Sequence, residues 1–251
     1  MNNKEALQKA YQILSPFSDK QKWEFNNNLV HLNFLTKHID KDKTIFDAGC
    51  GIGILDMALT LLEYKVEGGD KYLFATDSNF AVNDLEKLQE IWKKYELKIT
   101  KKDILIDKIE QKYDVVTSIA TIEHQRNPKE FLQNLKNVIK PEGHLYLATP
   151  NISHLLNRIR FLFGISPMSG HLATHFQQGE KFTGHWQEYT LSELEQLIEQ
   201  SGLQTVIAKN VQSIQPRINF KSVREIYINL FRLVSYILPG TKDTNIILGK
   251  K

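Results

Sequence analysis

A chain of 251 residues, 41% hydrophobic and 24% charged, is long enough for one α/β domain with additions, and its composition excludes both a disordered polymer and a membrane-embedded protein. The formal net charge of +3 comes without a block of lysine or arginine set apart from acids, so nucleic acid is not an expected partner. Cys50 is the only cysteine, which rules out an internal disulfide and suits a reducing, cytoplasmic compartment. The opening segment, Met1 to Lys9, lacks the apolar core of a signal peptide, and no stretch approaches the ~18 apolar residues of a spanning helix.

Residues 1–40 read as helices divided near Pro16, with Ala6, Ala10, Tyr11 and Leu14, then Trp23, Phe25, Leu29, Leu32 and Leu35 as apolar positions. The expected role is a helical cap over one sheet edge, with Tyr11, Phe17 and Trp23 as candidate pocket-lining residues. The stretch from Thr44 to Leu55 then runs from a short apolar strand signal, Ile45 and Phe46, through Gly49, Gly51 and Gly53 into a helix whose apolar face is Leu55, Ala58, Leu59 and Leu62. Glycines there permit positive φ and let a ligand touch bare main chain. The dinucleotide pattern Gly-x-Gly-x-x-Gly is not met, because Ile54 follows Gly49 and Gly51 at the third position, and Asp56 follows Gly51 and Gly53. Asp47, just before the first glycine, would repel a pyrophosphate and suits an amine or a sulfonium; the rival reading is a tight turn without a ligand.

With Asp47-x-Gly49-x-Gly51-x-Gly53, the chain resembles the first motif of class I S-adenosylmethionine-dependent methyltransferases, whose ligand has a cationic sulfur, an ammonium group and no phosphate. That resemblance implies S-adenosyl-L-methionine as cofactor and Asp47, Gly49, Cys50, Gly51 and Gly53 as its contacts. Lys71 to Asp77 follows as a strand signal ending on an acid, with Glu67-Gly-Gly-Asp70 read as the loop before it. An acid ending the second strand accepts both ribose hydroxyls, and the resemblance gives Asp77 that role with Ser78 beside it. As helix caps, Asp77, Ser78 and Asn79 would equally precede a helix with Ala81, Leu85, Leu88, Trp92 and Tyr95 on one face.

Leu97 to Lys102 alternates apolar and polar residues and leads to Asp103 and Ile104, which match the family's adenine-binding acid and neighbouring backbone; a surface aspartate ending a strand is the alternative. Tyr113 to His124 begins as a central buried strand around Val115 and Val116 and puts Ser118, Ile119 and Ala120 at its carboxyl end, where open α/β sheets bind ligands. This stretch resembles the fourth motif of the branch that includes ubiquinone-pathway O-methyltransferases, which likewise ends in Glu-His, although Ala120 stands where that branch often has an acid. The resemblance adds Ser118 and Ile119 as cofactor contacts. His124 is a candidate base for an acceptor hydroxyl, or a structural histidine bonding a loop carbonyl.

Asn127-Pro-Lys-Glu130 caps a helix buried through Phe131, Leu135 and Val138; Lys140 to Gly143 reads as a turn and His144 to Pro150 as the fifth strand. Residues 151–186 leave that rhythm. Leu155, Ile159, Leu162 and Phe163 form an apolar face, and Gly164 to Gly184 is rich in glycine, histidine and aromatics, as a substrate lid would be. His154, His171, His175 and His185 include an i, i+4 pair, but with no cysteine and no acid set among them they read as solvent- or substrate-facing, and no metal is expected. Gly184-His185-Trp186-Gln187-Glu188-Tyr189 resembles a recurring feature of the same branch in which the histidine faces the reaction site, making His185 the second candidate base. Thr190-Leu-Ser-Glu193 opens a capped helix with Leu194, Leu197 and Ile198 inward, ended by Gly202. Leu203 to Lys209 and Thr244 to Gly249 supply two more strands, separated by an apolar helix at about 219–238 that includes Val223, Ile226, Tyr227, Leu230, Phe231, Val234 and Ile237. That helix reads as core or dimer packing, with an acyl-chain pocket or a membrane-surface contact as the functional alternative.

The expected architecture is therefore α/β: a doubly wound, seven-stranded, mostly parallel Rossmann-like sheet, with a helical cap at 1–40, a cofactor-binding core at 41–150, a lid insertion at 151–186 and the rest of the core at 187–251. The expected activity is methyl transfer to a small-molecule, lipid or glycan-intermediate acceptor, at oxygen first, by a monomer or homodimer. Its rivals are a nitrogen acceptor, aminopropyl transfer from the decarboxylated cofactor, and a non-catalytic subunit that binds cofactor or a partner enzyme.

Overall fold

The computed structural model describes residues 1–17, 24–71, 84–179, 182–213, 226, 233–235 and 237–251. Its strands are β1 (Thr44–Ala48), β2 (Lys65–Asp70), β3 (Lys98–Lys101), β4 (Tyr113–Ile119), β5 (Ile139–Pro150), β6 (Gln204–Val211) and β7 (Thr244–Lys250). They form one seven-stranded sheet in the order β3-β2-β1-β4-β5-β7-β6. The first five strands pair in parallel, whereas β7 runs antiparallel to both β5 and β6. The strand order reverses between β1 and β4, so their carboxyl ends open the crevice in which such sheets hold ligands.

The described helices are α1 (Asn3–Leu14), α2 (Phe25–His38), α3 (Ile54–Leu61), α4 (Leu85–Lys94), α5 (Pro128–Asn137), α6 (Leu155–Leu162), α7 (Ser169–Gln178) and α8 (Leu191–Gln200). Alternation along β5 and β7 divides the core in two: Tyr146, Ala148, Ile246 and Leu248 face a layer built by α1 to α4, while Leu145, Leu147 and Ile247 face one built by α5 and α8. Both layers close through short apolar spacings such as Leu7, Ala10 and Leu14 in α1, or Phe131 and Leu135 in α5. The N-terminal helices therefore share a core with α3. His31 in α2 is buried there, with Nδ1 2.6 Å from the Tyr146 hydroxyl.

Several boundaries differ from the sequence reading. The strand next to β1 is Lys65–Asp70, so Glu67-Gly-Gly-Asp70 is strand and not loop, while residues 72–77 of the expected strand lie outside the described residues. Its glycines are there for space: a Cβ on Gly68 would lie 2.6 Å from both Asp56 Oδ2 and Cys50 Sγ, and one on Gly69 would lie 2.9 Å from Phe46 Cζ and Lys102 Cβ. β5 starts at Ile139, and Lys140 to Gly143 is absorbed as an irregularity with Glu142 at φ +62°. The apolar residues Leu162 and Phe163 of the α6 end do not pack inward; they are 82% and 79% exposed. Helix α4 is capped by Asp84, whose side chain accepts from the Lys87 N–H. Asp77, Ser78, Trp23 and most of the apolar segment at 219–238 lie outside the described residues.

Candidate active site

Buried β1 carries Asp47 to the sheet's ligand edge, and the chain then turns through Gly49, Gly51 and Gly53 into α3. The turn is tight because it has no side chains to accommodate. Gly49 has φ +91° and a Cβ there would sit 2.6 Å from Thr121 Oγ1; Gly53 has φ +79° and a Cβ there would meet Ile99 Cδ1 at 2.1 Å. Main-chain bonds fix the turn on β2, with Gly49 N donating to Gly69 O at 2.8 Å. Gly51 N donates to Asp70 Oδ2 at 3.1 Å, so the acid that ends the second strand stands directly against the glycine turn. The sequence pattern points to Asp77 for an acid at such a strand end, a residue that lies outside the described residues. The missed signal was Val66-Glu-Gly-Gly-Asp70, a strand running into an acid, disguised by glycines that usually mark turns.

Two more carboxyl groups lie beneath the turn. Asp47 is 5% exposed and accepts from Thr117 Oγ1 of β4 at 2.7 Å; Asp56, from the first turn of α3, is fully buried against the polar side chains of Asp47 and Cys50. Burial raises the pKa of both, and their mutual repulsion adds to it for Asp56, which is held well above the usual carboxylate range. The pair therefore keeps one proton on Asp56 and leaves Asp47 the better anion. Cys50 packs against the same group, and burial followed by the charges of Asp56, Asp47 and Asp70 pushes its thiol up, which makes it a poor nucleophile.

Asp103 and Ile104 follow β3, and the Asp103 carboxylate pairs with Lys71 Nζ at 3.2 Å while receiving Leu105 N at 3.0 Å. Ser118 and Ile119 end β4. The Ser118 side chain is fully buried with its Oγ unpartnered, and Ala120 beyond it takes φ +51°. Thr121 Oγ1 then bonds Ile119 O at 3.0 Å and the chain enters a short 3-10 turn, Ile122–His124.

That turn is tied to the segment carrying His185: Trp186 N donates to Glu123 O at 2.7 Å. The two candidate bases consequently meet, with ring centroids 4.8 Å apart and edge-on. His124 Nδ1 lies 2.9 Å from Thr183 O and 3.1 Å from Gly184 O, which assigns the ring proton to Nδ1 and makes Nε2 the proton-accepting nitrogen. Burial and then the His185 charge hold its pKa low. His185 Nδ1 is 2.8 Å from Glu188 Oε1; burial alone would lower its pKa, but the Glu188 hydrogen bond and the Glu123 charge leave it raised. Glu123 is fully buried, accepts from Thr149 Oγ1 at 2.8 Å, and is pushed up to about 7 by desolvation.

The histidines pair differently from their sequence spacing. His175 packs on Trp186, at 4.4 Å, and on Phe182; His171 instead stacks on His185, with centroids 4.6 Å apart. Acids do join them, contrary to the sequence reading: Glu188 lies three residues after His185, and Glu123 comes from a distant segment that folding brings close.

A reversed strand order with an antiparallel seventh strand, over a glycine turn flanked by carboxylates, defines the class I methyltransferase type of α/β protein. A family model described as a methyltransferase domain matches residues 21–208, and the chain belongs to that family. It is similar to the mitochondrial ubiquinone biosynthesis O-methyltransferase of Dictyostelium discoideum, 27% identical over 184 residues that cover 67% of this chain and 56% of that protein. The ubiquinone biosynthesis O-methyltransferase of Rickettsia bellii is 31% identical over 138 residues, 49% of this chain and 51% of the relative. The chain thus spans about half the length of these curated relatives. Among solved structures, the Burkholderia thailandensis 1,6-didemethyltoxoflavin-N1-methyltransferase with bound S-adenosylhomocysteine shares the fold at a TM-score of 0.59 and 12% identity, covering 98% of this chain and 88% of that one. Magnesium protoporphyrin IX methyltransferase from Synechocystis PCC 6803, also with the demethylated cofactor bound, aligns at a TM-score of 0.56 and 14% identity over 98% and 93% of the two chains. No helix among the described residues is long and apolar enough to cross a membrane.

Proposed function

We propose that the protein is an S-adenosylmethionine-dependent methyltransferase acting on an oxygen of a small, lipid-like or glycan-intermediate acceptor. The observation that carries this reading is the edge formed by the glycine turn, Asp47 and Asp70: bare main chain beside carboxylates fits a ligand with a cationic sulfur, an ammonium group and ribose hydroxyls, and repels a pyrophosphate. The unpartnered Ser118 Oγ at the same edge fits a polar ligand group as well. In this reading Asp47, Gly49, Cys50, Gly51 and Gly53 hold the methionine part, Asp70 accepts from the ribose hydroxyls, Asp103 and Ile104 meet the adenine, and Ser118 and Ile119 complete the wall.

When bound, the cofactor supplies an already activated methyl group. The chain's own task is to align the acceptor, exclude water and take up the acceptor's proton. His124 suits proton uptake through Nε2, because Nδ1 is held by carbonyls and the ring is kept neutral; His185, paired with Glu188, is the second candidate. The exposed side chains of Phe161, Leu162 and Phe163, with Leu172 and Phe176 on α7, support peripheral contact of the lid with a lipid surface or a lipid-like acceptor. The single unpaired cysteine remains consistent with a reducing compartment.

Calorimetry with S-adenosylmethionine and S-adenosylhomocysteine tests the cofactor, and transfer of labelled methyl to a cell-extract metabolite pool tests catalysis against a purely binding role. Asp70→Ala should weaken cofactor binding by about 10- to 100-fold, the loss of hydrogen bonds to a charged acceptor worth roughly 1.5–3 kcal/mol. Unchanged affinity would remove Asp70 from the ribose position.

A further inference from the structure

We infer that His171, His185 and Glu188 form a site for one divalent transition-metal ion of the zinc type, which fastens α7 to the segment bearing His185. Glu188 Oε1 lies 2.8 Å from His185 Nδ1 and 3.7 Å from His171 Nε2, and the three donor atoms all fall within 4.8 Å of one another. Donors on a tetrahedron with bonds of about 2.05 Å stand ~3.3 Å apart, so the observed separations bracket what such an ion requires and leave a fourth position for water. Two imidazoles with one carboxylate select zinc, cobalt or nickel over magnesium or calcium, which prefer oxygen-only shells.

The surroundings favour an ion here. None of the described side chains of α7 is buried, and Leu172 and Phe176 are 68% and 90% exposed, so this helix is held mainly by the rings of His175 on Phe182 and Trp186 and of His171 on His185. Its one ring stacked on the site is His171, at 4.6 Å and 11° from His185. A metal bond from that ring would add a directional attachment to the ring contacts of His175. The neighbouring trio of Glu123, His124 and His185 is a poorer host. Glu123 is fully buried and already receives Thr149, and His124 Nδ1 is committed to the Thr183 and Gly184 carbonyls. The His171, His185 and Glu188 side chains are 35%, 23% and 11% exposed, which gives an ion a way in.

Binding exchanges the proton between His185 Nδ1 and Glu188 for the ion and releases that proton to solvent. Where the methyl-transfer reading holds, on which this consequence rests, His185 is then a ligand and proton uptake from the acceptor falls to His124.

The test is a cobalt(II) titration of the untagged full-length chain, followed by visible absorption and repeated with zinc by calorimetry. Expected are one ion per chain and binding weaker by about tenfold or more in His171→Gln and in Glu188→Gln. His171→Gln decides the matter if Glu188→Gln does not fold, since it alters a partly exposed side chain on a helix whose described side chains are not buried. Absence of stoichiometric binding, or affinity unchanged by His171→Gln, would overturn the site. So would binding abolished by Glu123→Gln but insensitive to His171→Gln. S-adenosylmethionine calorimetry on the same samples reports the methyl-donor reading separately, because no metal ligand lies in the glycine turn.

Discussion

At the scale of single residues, the least comfortable group among the described residues is Asp56, a fully buried carboxyl set against Asp47 and Cys50 under the glycine turn. Its pKa is raised well above 3.8 in the fold, by burial first and by the Asp47 charge next, so folding takes up a proton in the range between the unfolded and folded values. The stability it contributes is fully present below its ordinary value near 3.8 and is lost as pH rises toward the folded value. Asp56→Asn keeps the shape and removes the titration. Relative to wild type its unfolding free energy should gain as pH rises from about 4 to 6, by up to about 1.4 kcal/mol per pH unit. A constant difference across that range would show that Asp56 does not hold the proton. Asp47 is a different case: with Thr117 as a donor it stays the better anion, and a cationic ligand would compete there with protons.

Elements differ in how much of their placement comes from packing. Helix α8 carries its own start signal, a capping box between Thr190 and Glu193, and buries Leu194 and Ile198; sequence and structure agree on it because local chemistry and tertiary burial point the same way. Helices α6 and α7 show the opposite balance. Their apolar spacing suggests burial, yet Phe161, Phe163 and Phe176 are 71%, 79% and 90% exposed. Sequence periodicity reports that a face is apolar and does not report what covers it. If that face meets a lipid surface, Phe163→Ser with Phe176→Ser should reduce co-sedimentation with phospholipid vesicles by several-fold, at unchanged melting temperature since both positions are exposed. Equal sedimentation of variant and wild type would leave lipid contact without support.

Over the whole molecule, the helical cap is joined to the sheet by His31, buried between Asn27 and the Tyr146 hydroxyl of β5. Desolvation lowers its pKa from 6.5 to about 4, so the fold holds it neutral. Its contribution is present above the unfolded value and is lost as pH falls from 6.5 toward about 4. Melting temperature should therefore drop between pH 6.5 and 4.5, and His31→Gln, less stable throughout, should show a shallower drop; parallel curves would exclude His31 as the acid-sensitive joint. This slope opposes that of Asp56, so each is read as variant against wild type. By itself the sequence determined the sheet class, the glycine turn after the first strand and the strand end at Ser118 and Ile119, because those features rest on local periodicity and turn chemistry, whereas His124 and His185 stood out only through resemblance to known motifs. Only the tertiary structure decided that Asp70 ends the strand beside β1, that Asp56 lies beneath Asp47, and that Glu123 and His171 gather around His185 and its sequence neighbour Glu188. Glycines inside a strand look like turns until the neighbours that require the space are in place, and side chains far apart along the chain meet only through the packing of the layers that carry them.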